Sequence, residues 1–194
     1  QQNFAKLQFI NIVIFCSFIM LKKSKKKSIS YQTEENPTTK FEITDEFKDI
    51  LNILNNTGDN IFITGKAGTG KSTLLKYFIK NIKKNKVILA PTGIAALNVS
   101  GQTIHSFFRF PPTIINPLSI KSDYRTDLFK NLQMLIIDEI SMVRVDLMHG
   151  IDIALRKNRN RPNEPFGGVQ LVLIGDLFQL PPVLPETAME FIFN

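Results

Sequence analysis

Residues 65–72 read GKAGTGKS, an uninterrupted match to the phosphate-binding-loop pattern G-x-x-x-x-G-K-[ST]. Before the loop, the apolar run NIFIT at 60–64 predicts a buried strand. After it, apolar residues recur with helical spacing at positions 74, 75, 78, 79 and 82. A strand, a glycine-rich loop and a helix N-terminus in this order form a cradle for phosphate groups. We therefore predict that the chain binds a nucleoside triphosphate, the alternative being a glycine-rich turn that binds nothing.

Each part of this loop has a chemical role in the prediction. The glycines allow successive backbone N–H groups to turn toward the phosphates, and the helix dipole adds partial positive charge. Lys71 would reach the β- and γ-phosphates, and Ser72 would place its hydroxyl group on Mg²⁺. The residues assigned to ATP are Gly65, Lys66, Ala67, Gly68, Thr69, Gly70, Lys71, Ser72 and Thr73.

The positive charge is concentrated at one end of the chain. The 194 residues carry a net charge of +7 and are 43% hydrophobic, enough for a core. Residues 1–40 hold seven Lys and two Glu, whereas residues 41–194 hold 17 Lys or Arg and 15 Asp or Glu. The overall charge therefore says little about the partners of the folded part. We expect residues 1–40 to be a tail and linker, disordered or partly non-native, and residues 41–194 to be the folded domain.

The N-terminal stretch has three interpretations. Residues 9–21 are largely apolar, and KKSKKK follows at 22–27. This apolar run is short for a membrane span, and a signal peptide carries its basic residues before the apolar run. An anchor, a spurious upstream translation and a mitochondrial-type leader remain open. Our hypothesis is that Met20 is the natural start and residues 1–19 are not natural protein, and we expect no stable membrane partner.

The cysteines and histidines of the sequence limit the disulfide and metal sites that it can form. Cys16 is the only cysteine, which excludes a disulfide framework and a cysteine-based zinc site within this sequence. We expect a reducing, intracellular compartment, either a prokaryotic cytoplasm or a eukaryotic nucleus or mitochondrion. His105 and His149 lie far apart without ligand-like spacing, so we predict no structural metal.

Three further apolar runs predict strands, and polar residues follow each of them. Near-continuous apolar strands separated by helical stretches predict an α/β fold with a mainly parallel sheet covered on both faces. Ligands bind at the carboxyl ends of such strands, where these polar residues fall. The runs are VILA at 87–90 before PTG and a short helix, MLII at 134–137 before Asp138 and Glu139, and VQLVLI at 169–174 before Gly175 and Asp176.

Two of these strand ends suit phosphoryl transfer. Asp138 would hold Mg²⁺ directly or through a coordinated water, and Glu139 would act as a general base or orient the attacking water. The alternative is a strand that ends in two solvated acids. Gln179, in GDLFQLPP at 175–182, would contact a γ-phosphate and report its loss. Taken by itself, that loop is equally compatible with an exposed amide that has no such role.

Four segments, in order, resemble motifs I, Ia, II and III of the PIF-type (petite integration frequency) DNA helicases, in the B branch of helicase superfamily one. RecD-type helicases share the GD-x-x-QLPP element, but PFGG at 165–168 resembles the PIF type more closely. The resemblance covers about residues 41–190. The segments are GKAGTGKST at 65–73, APTGIAALNVSGQTIHSFF at 90–108, MLIIDEISMV at 134–143 and PFGGVQLVLIGDLFQLPPV at 165–183.

The resemblance implies a RecA-like P-loop NTPase domain of an ATP-dependent helicase that moves 5′ to 3′ on single-stranded DNA, in repair, recombination or telomere maintenance. It assigns Lys71 and Ser72 to the phosphates and Mg²⁺, and Asp138 to the metal. It assigns Glu139 to the attacking water and Gln179 to the γ-phosphate. The positions that match the family's single-stranded DNA contacts are Thr92, Gly93, His105, Ser106 and Phe107.

Two of the sequence features are each compatible with two interpretations. Small hydroxyls and backbone N–H groups suit DNA phosphates, and aromatic faces suit bases, but the phenylalanines at 107–110 are equally compatible with core packing. The basic run RKNRNR at 156–161 is compatible with DNA backbone contacts and with a solvated loop.

The chain departs from the family pattern in two ways. The family often carries a glutamine that reads adenine in a T/S-x-E-Q setting, whereas this sequence has TDEF at 44–47, at the start of a helix predicted through Leu54. Adenine selectivity is therefore not predicted. The second RecA-like domain, with its arginine finger, is expected to be missing from these residues. The remaining alternatives are a regulatory ATPase switch without DNA translocation and an inactive, truncated binding module.

Overall fold

In the computed structural model, which describes residues 12–15, 45–65, 71–176 and 179, the strands form one parallel sheet. The strand order is β1-β2-β6-β5-β3-β4. This architecture confirms the predicted α/β fold, and the four strands expected from apolar runs are present to within one residue at each end. The strands are β1 (Ile12–Phe15), β2 (Ile61–Thr64), β3 (Lys86–Ala90), β4 (Gln102–Thr103), β5 (Met134–Ile137) and β6 (Gln170–Gly175).

Helices cover the sheet on both faces. The helices of the described residues are α1 (Asp45–Asn56), α2 (Lys71–Asn81), α3 (Gly93–Asn98), α4 (Ile104–Phe108), α5 (Thr126–Asn131) and α6 (Val145–Arg159). Strand β5 shows why two layers form, because its residues alternate between two buried clusters. Met134 and Ile136 pack with α1 and α2, whereas Leu135 and Ile137 pack with α4, α5 and α6.

The first strand was not foreseen. The apolar residues Ile12–Phe15 pair in parallel with Ile61–Thr64, at the edge of the sheet. Pairing satisfies backbone groups of β2 that would otherwise lie at an open edge. These four residues form a strand, and the rest of residues 1–40, for which a disordered or partly non-native tail is predicted, lies outside the described residues. Within the described part of the chain, no helix is long and apolar enough to cross a membrane.

The basic run at 156–161 forms the C-terminal end of α6 and makes contacts within the domain. The Arg159 guanidinium donates hydrogen bonds to the carbonyl oxygens of Phe129 at 2.6 Å and Leu132 at 2.5 Å, where α5 ends. It also donates to the carbonyl oxygen of Gly167, at 2.6 Å. The bonds to Phe129 and Leu132 reach carbonyl groups in and just after the last turn of α5, where a helix leaves backbone acceptors without i+4 partners. The run therefore joins α5, α6 and the PFGG turn.

The PFGG turn packs closely on α6. Gly167 has a φ of 59°, and a Cβ atom at this position would lie 2.8 Å from the carbonyl oxygen of Leu155. Asp152 holds the same turn, because its carboxylate accepts a hydrogen bond from the Phe166 N–H at 2.6 Å and two from Arg156 at 2.8 Å. The turn thus requires glycine for both its conformation and its close contact.

We predict that Arg159→Ala lowers the free energy of unfolding by about 2–4 kcal/mol, because several charge-assisted hydrogen bonds are lost together. Chemical denaturation would measure the change. Arg161→Ala is the matched control, since Arg161 forms an exposed pair with Glu164 at 3.0 Å. Its loss should cost less than about 1 kcal/mol. Equal losses for the two variants would contradict the assigned role of Arg159.

Candidate active site

Strand β2 and helix α2 place the ends of the phosphate loop. Thr64 is buried at the end of β2, and Lys71 begins α2. The Lys71 ammonium group donates a hydrogen bond to the carbonyl oxygen of Gly65, so it lies across the two ends of the loop. Ser72 and Thr73 are exposed in the first turn of α2. The assignments of Lys66, Ala67, Gly68, Thr69 and Gly70 lie outside the described residues.

Asp138 is a buried carboxylate at the end of β5. It is 8% exposed, and its Oδ1 accepts a hydrogen bond from the Glu139 N–H at 3.0 Å. Burial raises the pKa of this carboxyl group, whereas that hydrogen bond and the positive charge of Lys71 lower it. Strands β2 and β5 both end at the carboxyl edge of the sheet, on either side of β6, so Lys71 and Asp138 lie at the same edge.

Asp138 suits a magnesium ion. Mg²⁺ prefers carboxylate and hydroxyl oxygens and water molecules as ligands, and it usually binds through one or two protein oxygens and the phosphates. A buried carboxylate whose ionised form is disfavoured gains from a nearby cation. The Asp138 carboxylate and the Ser72 hydroxyl are therefore oxygen donors of the kinds that Mg²⁺ accepts.

Glu139 differs from Asp138 in its surroundings. It adopts the left-handed conformation, with φ 52° and ψ 45°, and begins a 3-10 turn, Ile140–Met142. A left-handed non-glycine residue is strained, and such residues cluster at functional sites. Glu139 is half-buried, whereas Asp138 is buried. The adjacent acids thus have separate environments, and the more accessible Glu139 is the better placed of the two to contact a water molecule.

Strand β6 lies between β2 and β5, so its carboxyl end emerges between the phosphate loop and the acids. Gly175 pairs with Thr64 in the sheet. A Cβ atom on Gly175 would lie 3.2 Å from the backbone nitrogen of Ile140 and 3.3 Å from that of Ser141. The end of β6 therefore packs directly on the turn that follows Glu139.

A hydrogen bond joins Gln179 to Asp176, the residue that follows β6. The Gln179 N–H donates a hydrogen bond to the carbonyl oxygen of Asp176, at 3.1 Å, and Gln179 is exposed. Asp176 is 5% exposed. No role was predicted from the sequence for Asp176 or Ser141. Asp176 follows an apolar strand, which is the same signal that identified Asp138, so that signal could have identified Asp176 as well. Asp176 is thus a further acidic residue at this edge of the sheet.

The segments assigned to DNA lie at the starts of two short helices. Thr92 is exposed, and its hydroxyl group accepts a hydrogen bond from the Ala95 N–H at 3.2 Å. Gly93 faces open space, because an added Cβ atom would meet nothing within 4 Å. Ser106 is exposed, and its N–H donates to the Thr103 hydroxyl at 3.2 Å. These residues offer small polar groups at the surface.

His105 is less accessible than these three. It is half-buried, and its Nδ1 lies 3.4 Å from the carbonyl oxygen of Phe110. The structure therefore leaves the assignment of His105 to DNA as a prediction.

The structure places Phe107 in the core rather than on the DNA-facing surface. The ring is 2% exposed and packs edge-on against Phe108, with ring centroids 4.9 Å apart. The guanidinium of Arg125 lies over its face, 5.4 Å from the ring centroid. The structure therefore favours the core-packing alternative for the Phe107 ring, and its assignment to DNA stays a prediction.

Phe47 occupies the position at which the family resemblance predicts an adenine-reading glutamine. It is 4% exposed and packs in the cluster that also holds Leu54 and Leu74. A buried apolar ring can stabilise α1 against the sheet, but it has no amide group with which to bind adenine.

We predict that Asp138→Asn stabilises the protein at pH 7 in the absence of Mg²⁺ and nucleotide. Burial raises the pKa of Asp138, so the folded state favours the protonated form, and the ionised carboxylate opposes folding at neutral pH. The gain of the Asn variant should shrink as the pH falls through the pKa of the folded state and vanish below the unfolded value. Urea unfolding at several pH values would measure it, and a less stable variant at pH 7 would contradict it.

Substitution of Asp123 should change the free energy of unfolding in the opposite direction. Hydrogen bonds from Arg125 lower the pKa of Asp123 to about 2, so its carboxylate stabilises the fold above its unfolded pKa. Asp123→Asn should lower the free energy of unfolding at pH 7 by about 1–3 kcal/mol. That difference should disappear as the pH falls through about 2. A difference that stayed constant between pH 7 and pH 2 would show that ionisation of Asp123 is not its source.

A family model described as PIF1-like helicase matches residues 41–194. The chain is 39% identical over 153 residues to the ATP-dependent DNA helicase PIF1 of Homo sapiens, covering 76% of this chain and 23% of the relative. It is 43% identical over 141 residues to the ATP-dependent DNA helicase PIF1 of Candida albicans, covering 68% of this chain and 16% of the relative. The chain thus spans about a fifth of the length of the relatives it matches.

Solved structures give the same result. The crystal structure of Pif1 helicase from Bacteroides in complex with ADP-AlF3 and ssDNA is 46% identical, with a TM-score of 0.69. The match covers 77% of this chain and 35% of that one. The crystal structure of Pif1 helicase from Candida albicans is 36% identical, with a TM-score of 0.64, covering 73% and 34% of the two chains. The fold is a RecA-like domain, and the chain belongs to the PIF1-like helicase family.

Proposed function

We propose that this chain is the first motor domain of an ATP-dependent DNA helicase that moves 5′ to 3′ on single-stranded DNA. The observation that carries the proposal is that Lys71, bonded to the carbonyl group of Gly65 just after β2, and Asp138, just after β5, lie at the same edge of the sheet on either side of β6. The curated relatives are named ATP-dependent DNA helicases, and a solved neighbour holds ADP-AlF3 and ssDNA. Repair, recombination and telomere maintenance are the processes we propose, because the family resemblance implies them.

The chemistry follows from the placement of the side chains. Lys71 would bind the β- and γ-phosphates, and Ser72 and Asp138 would hold Mg²⁺, which neutralises phosphate charge when bound. Glu139 would orient the attacking water and accept its proton. Gln179, on the loop after β6, would contact the γ-phosphate. Each role uses a group that lies at the carboxyl ends of β2, β5 or β6.

A direct backbone contact links the ATP site to the DNA-facing segment. The Asp138 N–H donates a hydrogen bond to the carbonyl oxygen of Leu89, at 2.9 Å. Leu89 precedes Thr92 by three residues on the same strand and turn. A shift of Asp138 on hydrolysis would therefore reach the start of α3, where Thr92 and Gly93 would bind a DNA phosphate.

Full turnover would require a second motor domain. In related phosphoryl-transfer systems an arginine supplied from outside the P-loop domain accelerates hydrolysis by roughly 10³–10⁵-fold. We propose that closure of the second RecA-like domain on ATP supplies such an arginine, and that opening after hydrolysis moves one domain along the strand. The present residues would then bind Mg·ATP but hydrolyse it slowly without that partner domain.

We predict different kinetic results for two substitutions in the full-length protein. Lys71→Ala should lower ATP turnover by about 10²–10³-fold and weaken ATP binding, because the positive charge of the lysine that stabilises the phosphates is lost. Glu139→Gln should lower turnover by about 10²–10⁴-fold while ATP still binds, because only proton transfer is lost. ATP turnover with and without single-stranded DNA, together with equilibrium ATP binding, would measure both.

Glu164→Gln provides the matched control, since Glu164 is exposed and pairs with Arg161 at the far end of α6. It should turn over ATP like the unmodified protein. Strong stimulation by DNA supports a nucleic-acid motor. ATP turnover that DNA does not change would refute the helicase proposal and favour a regulatory ATPase switch.

A further inference from the structure

A cavity of about 370 Å³ opens at the surface beside the C-terminal end of α4. Its wall is partly aromatic, since Phe108, Phe110 and Phe129 line it, and the Phe108 and Phe110 rings stack with centroids 5.3 Å apart. Arg109 and Tyr124 also line the cavity, and both are exposed. The cavity thus combines an apolar wall with a cation and an aromatic ring that a ligand can reach. Its volume lies at the small end of the range for ligand sites.

Arg109 and Tyr124 hold one another in place at this cavity. The Arg109 guanidinium lies over the Tyr124 ring, 4.3 Å from its centroid, and donates a hydrogen bond to the tyrosine hydroxyl at 2.6 Å. Arg109 has a φ of 57°, which is uncommon for a residue other than glycine. Tyr124 nevertheless remains 74% exposed, and the Arg109 side chain 51% exposed. The pair is therefore ordered before a ligand binds, which lowers the entropic cost of binding.

The charge at the cavity favours a ligand with an anionic group. Arg109 and Lys121 line it as exposed cations. Asp123 lines it too, but Arg125 donates hydrogen bonds to that carboxylate at 2.9 Å and 2.5 Å, whereas Arg109 lies 3.9 Å from it. The close pair with Arg125 compensates the charge of Asp123. A ligand with a flat apolar part and a negative group matches these surroundings.

The cavity continues the exposed side of α4 that is assigned to DNA. Ser106 and Arg109 are both exposed and are three residues apart, a spacing that places side chains on the same side of a helix. Phe107 and Phe108, which lie between them in the sequence, are buried. The step from Ser106 to Arg109 is about 4.5 Å along the helix axis. A strand that contacts Ser106 therefore reaches Arg109 with about one or two further nucleotides.

We propose that this cavity is a base-binding subsite for single-stranded DNA, in which one unpaired base enters beside the Tyr124 ring and a neighbouring phosphate binds Arg109. Proteins bind single strands by stacking bases on aromatic rings and by cationic contacts with the backbone, and the cavity offers both. The subsite extends the DNA-facing segment of Thr92, Gly93 and Ser106 beyond the end of α4. This inference rests on the proposed helicase function.

The first test separates the bases of DNA from its backbone in the full-length protein. Tyr124→Ala should weaken binding of a short single-stranded oligonucleotide by about 5- to 30-fold, the lower part of the range for base–aromatic stacking. It should bind an oligonucleotide of equal length that lacks all bases as tightly as the unmodified protein does. Tyr124→Phe keeps the ring and should stay within about threefold for both, the effect of one weak hydrogen bond. Equal losses on both oligonucleotides for Tyr124→Ala would overturn the proposal.

The second test measures the phosphate contact through its dependence on salt. Arg109→Ala should weaken binding of both oligonucleotides and reduce the slope of log affinity against log salt concentration by about 0.7, the value for one phosphate on a single strand. Lys80→Ala is the matched control, because Lys80 is an exposed cation in the last turn of α2. Its slope should equal that of the unmodified protein. An unchanged slope for Arg109→Ala would overturn the proposed contact.

The third test needs no substitution, so it decides the question if a variant loses its DNA-independent ATP turnover through misfolding. An oligonucleotide that carries 5-iodouracil is irradiated on the unmodified protein, and mass spectrometry locates the cross-linked peptides. We expect cross-links to Tyr124 or to the Phe108 and Phe110 rings of the cavity wall. Cross-links elsewhere on the domain and none at the cavity would overturn the subsite.

The two proposals fail in different ways. If the unmodified protein binds no single-stranded DNA and its ATP turnover does not respond to DNA, the proposed helicase function is wrong. If the unmodified protein binds and responds to DNA, and Tyr124→Ala binds both oligonucleotides as the unmodified protein does, only the subsite is refuted. The cavity would then serve a ligand other than DNA.

Discussion

The parallel pairing of β5 with β6 and β3 is the constraint on which the candidate site depends. The register places Ile137 opposite both Leu89 and Leu173, so three strands end at nearly the same level. A slip of one residue in β5 would exchange the residues that face the two core clusters and would withdraw Asp138 from the edge. Core packing on both faces of the sheet therefore fixes the position of a carboxylate that contributes nothing to that packing.

The fold class and most of the phosphate site could be predicted because they depend on local signals. Apolar runs and the glycine loop place β2 and α2, and an acid after a buried run identifies Asp138. The burial of individual side chains depends instead on contacts with residues that are far apart in the sequence. The FF pair at 107–108 does not show which face is buried, and only packing against Phe129 and Arg125 decides that Phe107 belongs to the core.

The basic run at 156–161 is a second feature whose role the sequence alone does not decide. Its composition suggests a surface that attracts a polyanion, but Arg159 is held by backbone carbonyls from α5 and from the PFGG turn. Burial even lowers the pKa of this guanidinium below its ordinary value. A cluster of arginines at a helix C-terminus can thus serve the helix ends, and the sequence alone does not distinguish that role from DNA binding.

Thr92, Gly93 and Ser106, the exposed residues assigned to DNA, are instead uncharged. Thr92, Gly93 and Ser106 offer hydroxyl groups and backbone N–H groups, and residues 41–194 carry only a small net charge. Each cationic contact with a phosphate releases counterions and makes binding strongly dependent on salt, whereas neutral hydrogen bonds position the strand at a lower cost in affinity. A motor must release and rebind its track in every cycle. Under the proposed function, uncharged contacts at the starts of α3 and α4 suit repeated release better than a basic groove would.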